Sequence, residues 1–343
     1  MKRNKLIYIS LSAVLLIVAV AAGVYSVFFG ESLRLQKHRV TLYIPTGSSF
    51  LQVMDTLDKK VVIKNRDLFI WFAGKKHYPE SVKPGRYVLD RNYSYNSLIN
   101  LLRSGKQSPV KLTFNNVRTL EDIAGRIGKQ IEADSSRIIS FFSDTSNYHA
   151  DGFRKENLIS VFIPNTYEVY WNTDVKALYS RMLKEYRSFW NEQRLSEAKA
   201  KGLTQQEVVI LASIIDDESA KSDEKPRIAG VYLNRLRRGM PLQSCPTIKF
   251  ALNDFTITRV LKKYLTIDSP YNTYMHTGFP PGPIGCASIE GIDAVLNAEN
   301  HDFLFFAAKA DFSGYHNFSR TLSEHNRYAA QYQEELDKRR IFK

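Results

Sequence analysis

The chain has 343 residues, a formal net charge of +13, 44% hydrophobic residues and two cysteines. It is long enough to bury a substantial core in two or three domains. Two cysteines in this length exclude a disulfide-built scaffold. The seven scattered histidines show no His-Glu-x-x-His pair, and neither zinc-finger spacing nor a Gly-rich phosphate loop ending in Lys-Ser/Thr is found, so no metal and no cofactor are expected.

Residues 1–5 form a basic tail, with Lys2, Arg3 and Lys5. Leu6 to Phe29 carries no charge. A helix of about 20 apolar residues crosses a bilayer core. This run is long enough to span and longer than the apolar part of a cleavable signal. The preceding cations favour a cytoplasmic N-terminus, which places everything after about Gly30 outside the cytoplasm. The chain is then a single-pass protein of the cytoplasmic (inner) membrane. Its excess positive charge fits an anionic lipid or wall polymer, and the extracytoplasmic location argues against nucleic acid.

Residues 30–37 read as a linker, and 38–108 as a small α+β subdomain. In it, His38–Ile44 alternates as a strand, Phe50–Leu57 and Arg66–Ala73 have helical spacing, Pro84–Leu89 turns into a strand, and Tyr95–Leu102 is a helix ending before Gly105. Residues 109–200 read as a connecting, mainly helical region. Val110–Phe114 is strand-like, Thr119–Ile131 and Asp134–Phe142 are helices, and Phe162–Trp171 is an aromatic loop or strand. Asp174–Gln193 is a long helix whose stripe of Leu178, Met182, Tyr186 and Trp190 reads as core.

Residues 201–343 carry the chemistry. Thr204-Gln205-Gln206-Glu207 is a capping box that starts a helix. Val208, Leu211, Ala212, Ile214 and Ile215 form its apolar face. Glu218 falls on that face, Asp217 points away, and Asp216 lies near the edge. A carboxyl group at the end of a buried stripe loses hydration, which raises its pKa. Protonated at neutral pH, it can act as a general acid on a glycosidic bond. From the helix alone, a carboxylate that turns to solvent or pairs with a Lys or Arg is the simpler expectation. A second helix, Lys225–Arg238, ends at Gly239. Long Pro-rich, polar-aromatic loops follow, of the kind that shape a groove. Phe303–Ala308 reads as a buried strand and Leu322–Arg340 as a terminal helix with a basic end. Outside the cytoplasm Cys245 and Cys286 could form a disulfide, with two free, buried thiols as the equal alternative.

Several segments match one family in order and spacing: Ala212-Ser213-Ile214-Ile215-x-x-Glu218, Val231–Leu236, Gly239-Met240-Pro241-Leu242-Gln243-Ser244-x-Pro246-Thr247, Ser269–Tyr274, Thr277-Gly278-x-Pro280-Pro281-Gly282-Pro283-Ile284, then Phe305, Gly314, His316, Phe318 and Ser323-x-His325-Asn326. With Phe162-Ile163-Pro164-x-Thr166-Tyr167 and Pro84-Gly85-Arg86-Tyr87, they resemble the YceG-like endolytic murein transglycosylases, also called the MltG family. The resemblance implies a LysM-like subdomain at 38–108 and a mixed α/β catalytic domain at 201–343 with groove-forming loops. It implies a lyase that cuts nascent peptidoglycan strands between N-acetylmuramic acid and N-acetylglucosamine, leaves 1,6-anhydromuramyl ends, and works near the peptidoglycan synthases.

By this resemblance Glu218 is the catalytic acid and then base. Asn234, Gln243, Thr247, Tyr271, Asn272, Thr273 and Tyr274 would line the groove, Pro280 and Pro281 would stiffen its wall, and His316 and Asn326 would contact substrate or position Glu218. The chain departs from the family pattern at Asp216, where many members carry Glu, and at Cys245, where an Asp is expected. The alternatives are a non-catalytic peptidoglycan-binding scaffold of a wall-synthesis complex, and a muramidase that uses Asp216 or Asp217 as a second carboxylate.

Overall fold

The computed structural model describes residues 2–115, 117–257 and 260–339, so Met1 and the expected helix end at Arg340 lie outside the described residues. The protein is a mixture of helices and short two-stranded ladders, an α+β architecture. It divides into two compact units. The first holds residues 1–111, 130–133 and 168–174, and the second holds 112–129, 134–167 and 175–343.

The first unit opens with α1 (Lys2–Phe29), whose segment Leu11–Phe29 is long and apolar enough to cross a membrane. After it come β1 (Leu33–Leu35), β2 (Val40–Ile44), α2 (Phe50–Asp58), β3 (Val61–Ile63), α3 (Arg66–Lys75), β4 (Gly85–Leu89) and α4 (Tyr95–Ser104). Strand β1, within the stretch expected as a linker, pairs antiparallel with β3, and Leu33 is fully buried. Strands β2 and β4 pair antiparallel, from Val40 opposite Leu89 to Ile44 opposite Gly85. Their period-two pattern sends Val40, Leu42, Ile44, Tyr87 and Leu89 into one core with Val53, Leu57, Phe69 and Leu98. Ser49, Asn65 and Ser94 cap α2, α3 and α4 by accepting from backbone N–H groups of the first turn. Gly105 closes α4 in the left-handed conformation at φ 69°, which only glycine adopts without cost.

Strand β5 (Val110–Thr113) pairs with β6 (Thr166–Val169). The second unit contains α5 (Leu120–Gly128), α6 (Ser135–Ser143), α7 (Val175–Phe189), α8 (Glu192–Ala200), α9 (Gln205–Glu218), α10 (Lys225–Arg237), α11 (Cys245–Leu252), α12 (Ile289–Leu296), β7 (Phe305–Ala308), β8 (His316–Ser319) and α13 (Leu322–Lys338). The helix expected through Gln193 stops at Phe189, because the Asn191 side chain accepts from Arg194 N and starts α8. The core stripe holds: Leu178, Met182, Tyr186 and Trp190 are all buried.

Helix α9 is the axis of this unit. Thr204 and Glu207 form the expected capping box. Every residue from Val208 to Ile215 is buried, since α8, α10, α11 and α12 all pack on it. The single apolar stripe inferred from periodicity is therefore wrong: α9 is enclosed on all sides from Val208 to Ile215, and only its first and last turns reach polar surroundings. Two expected loops also carry helices. The stretch after Gly239 contains α11, with Pro246 in its first turn, and Ser288 caps α12. The prolines beside them, Pro241 and Pro246 at α11 and Pro280, Pro281 and Pro283 before α12, are loop signals that hide both helices in the sequence. Strand β7 is half-buried rather than buried, because it forms a two-stranded ladder with β8, with α13 packed against both.

Candidate active site

The last turn of α9 distributes three successive carboxylates to three environments. Asp216 accepts from Lys225 Nζ at 2.8 Å, Ser288 N at 2.7 Å and Ser288 Oγ at 2.8 Å. It thereby ties α9 to α10 and α12. Asp217 pairs with Arg118. Both line a cavity of about 450 Å³, where their charges are already matched by cations. Glu218 instead enters a separate cleft of about 400 Å³.

Glu218 is half-buried, and its Oε1 accepts from Ser244 Oγ at 2.6 Å and Tyr232 Oη at 2.7 Å. Among the described residues no donor reaches Oε2, which leaves that oxygen for a ligand. Desolvation is the largest influence on this carboxyl and raises its pKa. The hydrogen bonds from Ser244 and Tyr232 and the nearby His316 oppose that rise, while Asp217 adds to it. The position at the negative end of the α9 dipole also disfavours the anion. Tyr232 is held well above its ordinary pKa by burial and by Glu218, so it remains a donor.

Ser244 owes its place to a small buried hydroxyl network. Its N–H donates to Thr273 Oγ1 at 3.0 Å, its carbonyl accepts from Thr247 Oγ1 at 2.8 Å, and the two threonine hydroxyls lie 2.8 Å apart. Ser244 occupies the N-cap of α11 but makes no side-chain cap bond. Its hydroxyl goes to Glu218 instead. The preceding Gln243 adopts φ 55°, an uncommon left-handed backbone for a non-glycine residue, and its N–H donates to Thr273 O at 2.9 Å.

Across the cleft, His316 on β8 is fixed by Glu224. The Glu224 carboxylate, on a residue only 4% exposed, takes His316 N at 2.8 Å and His316 Nδ1 at 2.7 Å. A carboxylate on Nδ1 selects the tautomer with its proton there and leaves Nε2 as the free ring nitrogen. Arg235 is buried and braces the floor. It donates to Pro241 O and Leu304 O and pairs with Gln243 Oε1, while its guanidinium lies 5.3 Å from the Phe305 ring centroid. Desolvation lowers its pKa. His325 reaches the cleft from α13, with its Nδ1 buried and unpartnered among the described residues.

Of the residues expected from sequence, Glu218, Gln243, Tyr274 and His316 line this one cleft. Thr247 and Thr273 lie behind it, bonded to Ser244. Asn234 is turned the other way: its Nδ2 donates to His301 O at 2.7 Å and Phe303 O at 3.0 Å, which pins α10 to the chain entering β7. Asn272 is fully buried, donates to Leu265 O and Ile267 O, and accepts from Tyr274 N, so it shapes the loop that carries Tyr274. Tyr271 packs on Phe250 at 4.7 Å and lines a different, shallower pocket. Pro280 is buried, Pro281 half-buried and Asn326 exposed, and none of the three lines the cleft. The cysteines are free. Cys286 Sγ donates to Phe162 O at 2.6 Å, whereas Cys245 is exposed with Sγ 3.2 Å from Tyr274 Oη. The disulfide does not form, and only one of the two thiols is shielded.

Tyr232, Arg235, Ser244 and His325, with Glu224 behind His316, complete the site without being among the residues expected from sequence. Tyr232 has the spacing of an ordinary core residue on α10, and nothing local in the sequence marks its hydroxyl as a partner of Glu218. Among the described residues no cluster of ligating side chains could hold a metal ion.

The sequence model of the YceG-like family matches residues 42–331. The chain belongs to the YceG-like family. Within it, the chain is similar to an endolytic murein transglycosylase of Bacillus subtilis (strain 168), at 30% identity over 312 residues, which cover 86% of this chain and 85% of that one. It is similar to an endolytic murein transglycosylase of Streptococcus pneumoniae (serotype 2, strain D39), at 29% identity over 331 residues. That match covers 86% of this chain but only 59% of the longer pneumococcal protein. A crystal structure of a YceG-like protein from Listeria monocytogenes superposes with a TM-score of 0.57 at 28% identity, covering 85% of this chain and 99% of the other.

Proposed function

We propose that this chain is a membrane-anchored lyase, an endolytic peptidoglycan lytic transglycosylase with Glu218 as its one acid and base. The observation that carries this is the cleft around Glu218. It holds a carboxyl group whose pKa is raised by desolvation, two hydroxyl donors on one oxygen, and a second oxygen without a donor among the described residues. Among its described lining residues Glu218 is the only carboxylate. Common glycoside hydrolases use two carboxylates flanking the bond. Asp216 and Asp217 line a separate cavity and are engaged by Lys225 and Arg118, so neither serves as the second.

Protonated Glu218 gives its proton to the oxygen bridging N-acetylmuramic acid and N-acetylglucosamine, and the C1–O bond breaks. The anionic Glu218 then takes the proton of the C6 hydroxyl as that oxygen closes on C1. The products are a free 4-hydroxyl and a 1,6-anhydro ring, with no water consumed. Ser244 and Tyr232 donate to Oε1 throughout, which holds the reacting Oε2 in place and stabilises the carboxylate once it forms. Gln243, Tyr274 and His316 are the substrate contacts. Aromatic faces such as Tyr274 suit sugar C–H surfaces, with the hydroxyl as a polar tip. Arg235, the one arginine or lysine among the described lining residues, gives the cleft a positive charge that suits an anionic glycan bearing lactyl and peptide carboxylates.

In the same reading α1 is the single-pass anchor with its N-terminus in the cytoplasm, residues 38–108 are a LysM-like module, and residues 201–343 act on nascent strands near the synthases. Digestion of nascent glycan by the full chain tests the proposal. Anhydro-ended products that vanish in Glu218→Gln support it, and glycan binding with no product from the wild type supports the scaffold instead.

A further inference from the structure

The first unit carries an aromatic and basic face at the point where α1 ends. Phe28 lies in the last turn of α1, with its ring centroid 4.6 Å from that of Phe72 and 6.0 Å from that of Trp71. Trp71 is 54% exposed despite this contact. Lys75 Nζ lies 5.6 Å from the Trp71 ring centroid and Lys76 Nζ 5.5 Å from that of Phe72. Lys64 donates to Glu31 O just beyond the helix. The connection has no slack: Gly30 N donates to Ser26 O, Ser32 Oγ donates to Val27 O, and Leu33 already belongs to β1.

The depth of this face follows from helix geometry. A bilayer core of about 30 Å takes about 20 residues at a rise of about 1.5 Å. The uncharged run Leu6–Phe29 is about 36 Å long at that rise, so the core ends between Tyr25 and Phe29. Phe28 then stands within about 5 Å of the core boundary, next to a headgroup layer that adds about 5–7 Å on each side. Trp71 and Phe72, in contact with Phe28, are at the same level. Trp at this depth has its apolar ring among the upper acyl chains and its N–H among headgroups, and neighbouring lysines meet lipid phosphates.

We infer that the exposed face of α3 is a membrane-contact surface, with Trp71 seated in the bilayer interface and Lys64, Lys75 and Lys76 on anionic phospholipid headgroups. The inference rests on α1 being the membrane anchor. Asp67 on α3 and Glu31 beside Lys64 oppose the attraction, but the three lysines outnumber the two carboxylates. The surface holds the first unit against the bilayer instead of letting it swing from a tether.

The test uses the full chain in nanodiscs of phosphatidylcholine, with and without phosphatidylglycerol, made with lipids brominated near the top of the acyl chain. The chain has three tryptophans, so Trp71→Phe isolates the share of Trp71. The expected result is strong quenching of the wild type, loss of that quenched component in Trp71→Phe, and weaker quenching of K75E/K76E only in the anionic discs. Equal quenching of wild type and Trp71→Phe would overturn the contact. Quenching that ignores both phosphatidylglycerol and K75E/K76E would overturn the role of anionic headgroups. Carbonate extraction of the same sample reports separately on α1. A chain that is extracted sinks the anchor, whereas one that stays inserted but unquenched sinks only this inference.

Discussion

Ser244 Oγ lies 2.6 Å from Glu218 Oε1, although Ser244 sits at the N-terminus of α11, where a serine hydroxyl ordinarily caps its own helix. The hydroxyl serves the carboxyl instead, and a buried Thr247–Thr273 pair holds Ser244 in position to do so. This bond lowers the pKa of Glu218 against the rise from desolvation. Ser244→Ala removes it. Glu218 must be protonated to act, so activity falls as pH rises through its pKa, and the variant's alkaline limb moves to higher pH. Its maximal rate falls about tenfold, the worth of one oriented hydrogen bond to a reacting carboxyl. A pH–rate profile with its alkaline limb unmoved or shifted down would contradict the assignment.

Glu218→Gln separates catalysis from stability. A group whose folded-state pKa is raised favours the folded state below its unfolded pKa and loses that advantage as pH rises through the folded value. Glu218 therefore costs the protein stability above that window, and Gln, which does not titrate, does not. The variant is expected to match the wild type in acid and to melt at higher temperature near neutral pH and above. Thermal melts at several pH values check this. A variant less stable than wild type at every pH would mean that the carboxylate is welcome in its cleft.

Asp216 is expected to be an anchor and not a second catalytic carboxylate. Lys225 Nζ, 2.8 Å away, has a side chain only 8% exposed. Asp216→Asn leaves that cation without its main partner, since Glu290 lies 3.8 Å away and is half-exposed. Breaking such a buried pair costs about 3–5 kcal/mol. Denaturant titration should register that loss, while the surviving folded protein still yields anhydro ends. Loss of activity with stability intact would favour a water-using muramidase.

Glu224 holds His316 in the same way that Ser244 serves Glu218, from one layer behind. Glu224→Ala leaves the backbone N–H and the Nδ1 of His316 without acceptors, at a cost of about 2–3 kcal/mol. His316→Ala takes away a group that lowers the pKa of Glu218, so the alkaline limb should again move upward. It should also raise KM if Nε2 contacts the glycan. Steady-state kinetics across pH reads both effects, and an unchanged KM with an unchanged profile would remove His316 from the site.

Much of the fold could be read along the chain, because caps and periodicity are local. Thr204-x-x-Glu207 marks the start of α9, and the alternation of Val40, Leu42 and Ile44 marks β2. The helices α11 and α12 could not be read, since the prolines beside them signal loops. Burial of α9 on every side was also hidden: its neighbours α8 and α10 and the later helices α11 and α12 together surround it, and periodicity alone suggested one buried stripe. The site divides along the same line. Glu218 stood out as a carboxylate ending an apolar run. Ser244 and Tyr232 did not, because their importance lies in where α10 and α11 bring their hydroxyls. Asn234 and Asn272 look like sugar-binding residues in sequence, yet each donates its amide to backbone carbonyls that would otherwise be left without partners.

The most direct measurement of the central claim is the mass of the cleaved glycan. Nascent peptidoglycan digested by the full chain should give fragments ending in 1,6-anhydro-N-acetylmuramic acid, one water lighter than the reducing-end product of a hydrolase, and Glu218→Gln should give none. Fragments carrying the added water, or undiminished cleavage by the Gln variant, would contradict it.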